Sequence, residues 1–252
     1  MSIQTFKRLE DKFLITEEQF DALRLRLKEL MELDRFCEIG SYKILNIYFD
    51  SADGEVIRKS VQKPYFKEKL RLRSYGVPES GESTVFLELK RKSAGIVNKR
   101  RATLSYDDAI RYIEKGEKPK NTDYLTTQVL SEIDYFLEKT KAAPKYFLSY
   151  DRIAMFGKKD KGLRLTLDNN IQARRKDLSF SAGCYGRQLL PPNTRLMEVK
   201  FLGAIPLELV KILSELKIYR RSFSKIGTEY KTHLLSEREK TEVNGFTAVH
   251  NG

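Results

Sequence analysis

Apolar and polar residues alternate with a period of two along several segments, and in a strand that period sends neighbouring side chains to opposite faces. From Phe6 to Ile15, Arg8, Glu10 and Lys12 share one face, with Leu9, Phe13 and Ile15 on the other. From Lys67 to Tyr75 the polar face carries Lys67, Lys69, Arg71 and Arg73, opposite Leu70 and Leu72. Glu88, Lys90 and Lys92 alternate with Leu87 and Leu89, and Arg164, Thr166 and Asp168 with Leu163, Leu165 and Leu167. Glu198 and Lys200 alternate with Met197, Val199 and Phe201. Tyr150-Asp151-Arg152 and Lys99-Arg100-Arg101 repeat the theme in shorter form.

Helical spacing marks four other segments. Thr16 with Gln19 forms a capping-box pattern ahead of Phe20, Leu23, Leu27, Leu30 and Met31. Ser105 caps a second helix that runs to Lys115, with Gly116 as its stop. A third fits Asp123 to Lys139, and a fourth starts at Pro206, a residue favoured at a first helical position, and runs through Leu216.

Half-buried strands with solvated outer faces account for any one of these alternations. Five segments that all bring cations to the polar face are harder to explain that way, because like charges on paired strands repel. Two unit charges about 4 Å apart repel by roughly 4 kcal/mol at an effective dielectric of about 20. A stack of such pairs implies an anion that offsets them. The expected architecture is therefore α+β: an antiparallel β-barrel or curled sheet with a concave, cationic polar face, and amphipathic helices packed outside over the apolar faces.

Charge adds the sign of the partner. Lys and Arg number 47 against 35 Asp and Glu, a formal net charge of +12, so the concave face meets an anion. Nucleic acid, an anionic membrane, a nucleotide and inorganic polyphosphate all satisfy that balance. Zinc-finger spacing and an RNP-like aromatic run are missing, and the cations lie on strands rather than on one recognition helix, which counts against nucleic acid. Gly157 to Gly162 lacks the spacing of a phosphate-cradling loop and reads as a hairpin turn. Two cysteines, Cys37 and Cys184, make no disulfide framework, and two histidines supply a His-ligated metal or a Ser-His-Asp triad poorly. No apolar run approaches the roughly 20 residues of a membrane span, and Met1 to Gln4 begin no signal pattern, so a cytoplasmic chain is expected. No repeat or linker divides it; one domain over 1–235 and a loose tail over 236–252 are expected.

The run Arg8-Leu9-Glu10-Asp11-Lys12-Phe13 resembles the ExExK-type first strand of the triphosphate tunnel enzymes. Later runs resemble their polyphosphate-polymerase branch, the vacuolar transporter chaperone (VTC) domain: Ile47–Ser51, Lys69–Arg73, Phe86–Lys90, Ser149–Arg152, Leu163–Asp168, Met197–Lys200 and Ser222–Lys225. The resemblance extends from Phe6 to Tyr230. It implies a tunnel of antiparallel strands open at both ends, in which the γ-phosphoryl group of ATP passes to a growing inorganic polyphosphate with the help of a divalent metal. It also implies phosphate grips at Lys12, Arg71, Arg73, Lys90, Arg152 and Arg164, a further one at Lys225, and a metal ligand at Glu198. Lys69, Lys99 and Lys200 are implied as additional wall cations, and Glu10 as either metal support or a partner for Lys12. Arg8 stands where hydrolytic tunnel enzymes carry the first of two acids. That departure argues against a two-metal triphosphatase or an adenylate cyclase and towards the polymerase branch. Related eukaryotic proteins attach this domain to membrane segments, so a membrane-protein partner that receives the product is also implied.

Phosphoryl transfer asks a protein for positioning and charge stabilisation. Arginine forks bond phosphate oxygens bidentately, and lysines supply point charges along a chain that must slide. A hard cation held by Glu198, phosphate oxygens and water suits Mg²⁺ or Mn²⁺. A terminal phosphate is itself an anionic nucleophile, so no general base is needed. Three other readings stay open: a non-catalytic polyphosphate-binding module, a triphosphatase of the same superfamily, and a nucleic-acid-binding protein. At single residues, Glu198 has Lys200 or Arg195 as alternative partners, and Arg71 and Arg73 have a solvated-strand alternative. Glu88 is read as orienting a neighbouring lysine, and Tyr48 and Tyr150 as packing residues.

Overall fold

The computed structural model describes residues 8–37, 40–62, 64–94, 96–120 and 122–249. Chain order is β1 (Arg8–Thr16), α1 (Glu17–Leu27), β2 (Met31–Leu33), a short 3-10 turn (Arg35–Cys37), β3 (Tyr42–Asp50), α2 (Glu55–Val61), β4 (Phe66–Tyr75), β5 (Thr84–Ser93) and β6 (Ile96–Ser105). It continues with α3 (Tyr106–Lys115), α4 (Tyr124–Thr140), β7 (Ala143–Gly157), β8 (Arg164–Arg174), β9 (Arg187–Gln188), β10 (Thr194–Leu202), α5 (Leu207–Glu215) and α6 (Lys225–Val249).

The strands form one antiparallel sheet in the order β1-β10-β8-β7-β3-β4-β5-β6, with β2 added to β7 and β9 to β8. Among the described residues no ladder joins β6 back to β1, so the expected barrel is an open sheet. The β6 edge carries Lys99, Arg100 and Arg101, charges that discourage further pairing. The sheet still curls, so that Glu10 on β1 and Lys90 on β5 act on one another's charge across the interior.

Local sequence explains most of the helix boundaries. Thr16 and Gln19 close the capping box reciprocally, at 3.2 and 3.0 Å. Ser105 and Asp123 cap α3 and α4 by accepting the backbone N–H groups of Asp108 and Thr126. Gly116 ends α3 at φ 71°, a left-handed conformation that favours glycine. Pro206 lies one residue outside α5, as its cap rather than its first residue. α1 stops at Leu27; Met31, expected on the same helix, opens β2 opposite Gly157, yet its side chain still packs with Phe20, Leu23 and Leu27. The segment expected to be a loose tail from 236 is helical backbone as far as Val249, and 250–252 lie outside the described residues.

Two helical layers cover the convex side. Leu70, Leu72, Leu87, Leu89 and Leu104 pack beneath Tyr112 of α3 and Val129, Leu130, Ile133 and Phe136 of α4. Phe13, Ile15, Leu165, Leu167, Met197 and Val199 pack beneath Phe20 and Leu23 of α1 and Leu209, Ile212 and Leu213 of α5. Glu132 ties α4 to the sheet through Arg91 and, at 2.8 Å, Arg100. A third cluster lies on the concave side, where Ile44, Tyr48, Tyr146, Leu148, Ile171 and Leu196 meet Ile57 of α2 and Ile226 and Tyr230 of α6. The interior is therefore polar over only part of its length, and one end of the implied tunnel lies under α2 and α6. Among the described residues no helix is long and apolar enough to cross a membrane.

Replacing fully buried Phe136 by Ala should cost about 3–5 kcal/mol in urea unfolding, against less than about 0.5 for exposed Tyr135→Ala on the same helix.

Candidate functional site

Period-two alternation brings polar side chains of β1, β10, β8, β7, β3, β4, β5 and β6 onto the concave face, where they sort into two charge clusters. The first centres on Glu88, which is 1% exposed. Its Oε2 accepts a hydrogen bond from Nε of Arg71 (2.8 Å) and pairs with Nη2 of the same side chain (2.7 Å), and its Oε1 accepts from Nε of Arg101 at 2.8 Å. Lys99 Nζ stands 3.6 Å away and Arg73 Nε 3.9 Å away. Arg71 Nη1 also donates to the Tyr48 hydroxyl at 3.0 Å, while Arg73 donates to Asn46 Oδ1 at 2.9 Å and to the Tyr150 hydroxyl at 3.1 Å. Burial would raise the pKa of Glu88, but Arg71, Arg73, Arg101 and Lys99 outweigh it and hold the carboxyl far below its ordinary value.

The second cluster is richer in acid. Arg152 makes a bidentate pair with Asp168 at 2.6 and 2.7 Å. Lys225, the first residue of α6, places Nζ 2.6 Å from Asp168 Oδ2 and 3.2 Å from Glu198 Oε1. Glu198 is also 3.1 Å from Lys12 and 3.7 Å from Arg152. Lys12 reaches Glu10 at 3.4 Å, and Lys200 reaches the other oxygen of Glu10 at 3.4 Å. Glu198 is held well below the carboxylate range, because Lys225, Lys12, Arg152 and Lys200 overcome the opposing effect of burial. Lys225 is raised despite its own burial, by Asp168 and Glu198.

The concave face also carries cations with no carboxylate within ion-pair distance among the described residues: Lys69, Lys90 and Arg164. Burial lowers Lys69 to about 8, and the neighbouring Lys67, Lys90 and Lys12 push it the same way. Burial and the charges of Arg71, Lys200 and Lys12 lower Lys90 against the pull of Glu10. Arg164 rests on the Phe156 ring, 5.0 Å from its centroid, and its buried Nε has no hydrogen-bond partner. Thr166, next along the same face of β8, also has a buried hydroxyl oxygen without a partner. Buried donors without partners cost free energy, and acceptor oxygens of a ligand would satisfy these two.

The structure thus gathers Lys12, Lys69, Arg71, Arg73, Lys90, Lys99, Arg152, Arg164, Lys200, Lys225, Glu10 and Glu198 on one concave face. Glu198 is paired on the wall by Lys12, Lys225 and Arg152 rather than by Lys200 or Arg195; Lys200 acts on it only at a distance, and Arg195 pairs with Glu17 at 2.8 Å. Glu88 holds arginines more closely than its lysine. Tyr48 and Tyr150 pack in the third cluster and also orient Arg71 and Arg73. The Arg8 side chain lies outside the described residues; its backbone pairs with Leu202. Sequence reasoning missed Arg101, whose signal was its i,i+2 spacing from Lys99, and Asn46, which carried none.

For a divalent metal, Glu198 and Glu10 supply carboxylates on neighbouring strands, with the Lys12 ammonium between them. Among the described residues no three His, Cys, Asp or Glu side chains converge as a metal cage. The pair suits an Mg²⁺-type ion, which takes one or two carboxylates and completes its shell with substrate phosphates and water.

Tyr48 would be raised by burial, but Arg71 and Arg73 reverse that and bring it to about 8. Tyr48 and Lys69 thus lose their protons in the folded chain near pH 8, whereas the unfolded chain keeps them to about pH 10. Over that window the unfolded state binds more protons, so stability should rise with pH. Thermal unfolding of the free protein across it should show the rise, and Tyr48→Phe with Lys69→Met should flatten it.

No curated protein sequence matches the chain significantly. Among solved structures, a candidate adenylate cyclase from Bacillus halodurans superposes with a TM-score of 0.50 at 18% identity, over 86% of this chain and 93% of that one. A candidate adenylate cyclase from Vibrio parahaemolyticus gives 0.45 at 12% identity, and a protein from Pyrococcus horikoshii 0.45 at 15%, each over 90% of this chain and 99% of its own. The first shows a shared tunnel-type α+β fold. The VTC domain family matches residues 7–234, the whole curled sheet with its helices up to the first part of α6. The chain belongs to the VTC domain family.

Proposed function

We propose that the chain is an ATP-dependent polyphosphate polymerase that moves the γ-phosphoryl group of ATP onto the end of an inorganic polyphosphate along its concave face. The observation that carries this reading is the set of inward cations without acid partners, Lys69, Lys90 and Arg164, flanked by arginines already fixed in orientation. A phosphate chain supplies the counter-charge that the protein withholds there.

In the reaction, a terminal phosphate oxygen of the acceptor attacks the γ-phosphorus. A new P–O bond forms, the bond from that phosphorus to the β–γ bridging oxygen breaks, and ADP leaves with the electron pair. Arg71 and Arg73 of β4 and Arg152 of β7 hold donor and acceptor in line, and their charge stabilises the equatorial oxygens. Lys69 and Lys90 follow the product chain. Glu198, supported by Glu10, would hold Mg²⁺ or Mn²⁺, which would supply charge neutralisation to the phosphates. Lys12 must then move from between the two carboxylates.

One observation favours a second reading, a polyanion receptor without catalysis: Glu198 is already paired with Lys12, Lys225 and Arg152. Glu198→Gln separates the two. With ATP and Mn²⁺ or Mg²⁺, polymer formation should fall by at least about 100-fold. Tripolyphosphate affinity should hold or tighten, because a negative charge leaves the wall. Wild-type protein that binds tripolyphosphate yet makes no polymer would favour the receptor.

Lys69→Met, Lys90→Met and Arg164→Met should each weaken tripolyphosphate binding by about tenfold or more in calorimetry, the size of a lost charge-assisted contact. Arg26→Met, on the outer helix α1, should not.

A further inference from the structure

Tyr42, Tyr75 and Phe86 occupy interior positions on adjacent strands β3, β4 and β5, at the end of the concave face away from α2 and α6. Backbone register sets Ile44 opposite Tyr75 and Arg73 opposite Phe86, which brings the rings into one row. Ring centroids are 6.0 Å apart from Tyr42 to Tyr75 and 5.6 Å from Tyr75 to Phe86, and Phe36 extends the row at 6.5 Å from Tyr42. Buried aromatic rows normally serve a core, yet here Phe36 is 66% exposed and Tyr75 48%. Guanidinium groups stack on both ends, Arg35 over Phe36 at 4.7 Å and Arg101 over Phe86 at 4.4 Å. The row also adjoins the arginine cluster: Arg73 and Arg101 act on the Tyr75 hydroxyl, and Arg152 and Arg164 on that of Tyr42.

We infer that this row is a nucleobase platform, on which the base of a nucleoside triphosphate stacks while its phosphates run inward to Arg73, Arg101, Arg152 and Arg164. The inference rests on the phosphate-transfer reading above and deepens it by naming a site for the donor's base. Aromatic faces and arginine planes stack any base. The platform therefore holds ATP and GTP alike, and it separates a nucleotide from a bare polyphosphate.

Calorimetric affinities for ATP, GTP and tripolyphosphate test this with wild type, Phe36→Ala, Tyr75→Ala and Tyr75→Phe. Each alanine variant should lose about fivefold or more in affinity for both nucleotides, the lower bound for one base–aromatic stack, with tripolyphosphate within about threefold of wild type. Tyr75→Phe keeps the ring and should keep ATP affinity. Phe36 is exposed enough that its removal leaves the fold intact, so it carries the test if Tyr75→Ala misfolds. Equal losses for ATP and tripolyphosphate, or none for either, would overturn the platform. Failure of the wild type to bind tripolyphosphate would overturn the phosphate reading, and the platform with it.

Discussion

Seven strands, β1, β4, β5, β6, β7, β8 and β10, deliver lysines and arginines to one concave face, and the fold holds most of them there because buried carboxylates neutralise them, leaving Lys69, Lys90 and Arg164 without an acid partner. Glu88, Asp168 and Glu198 are each less than a tenth exposed, and each contacts at least two cations. Removing one partner from a buried ion pair leaves an uncompensated charge at a cost of about 3–5 kcal/mol. The carboxylates are thus part of the scaffold as well as of any metal chemistry, and a loss of activity on mutating them must be read beside a stability measurement.

The same constraint explains the inverted layering. Once the polar faces turn inward, Leu70, Leu72, Leu165 and Leu167 point outward and need helices above them, which α1, α3, α4 and α5 supply. Lys225 shows how tightly the two sides are joined. A cation at the first residue of a helix faces the positive end of the helix dipole, an unfavourable place. Asp168 and Glu198 offset that and fix the start of α6 against β8 and β10. The first turn of α6 then brings Ile226 into the apolar cluster that closes one end of the interior.

Much of this was legible in the chain because it rests on two short-range signals. Alternation located the cationic strands and gave the facing of Arg71, Lys90, Arg164 and Glu198, and the cap signals at Thr16 and Ser105 located α1 and α3. What stayed hidden depends on contacts between distant residues. α2 begins after Gly54 with no side-chain cap of its own; the Asp50 carboxylate, back in β3, accepts the N–H groups of Val56 and Ile57. The helical segment after 236 has no apolar period to announce it. Met31 belongs to the α1 core by its side chain and to β2 by its backbone, and a periodicity count sees only the first. The third cluster broke the expectation of a wholly polar interior, because Tyr48, Tyr146 and Tyr150 combine apolar rings with hydroxyls, and alternation alone does not say which end of the side chain matters.

The division of labour between arginine and lysine follows from how each is held. A guanidinium has more N–H donors than one carboxylate engages, so Arg152, bound to Asp168 through Nε and Nη2, still presents Nη1. Arg71 is gripped on three nitrogens by Glu88 and Tyr48 and keeps spare N–H groups on Nη1 and Nη2. Such arginines are charged, oriented and still able to donate, which suits groups that must meet a phosphate at one fixed place. Lys69 and Lys90 have no carboxylate to orient them, and an ammonium has no preferred plane. They can attract phosphates without fixing their register, which the proposed transfer to a growing chain would require. In the reaction proposed above, fixed arginines beside unfixed lysines on one face would hold a reacting phosphate still while letting its product chain move.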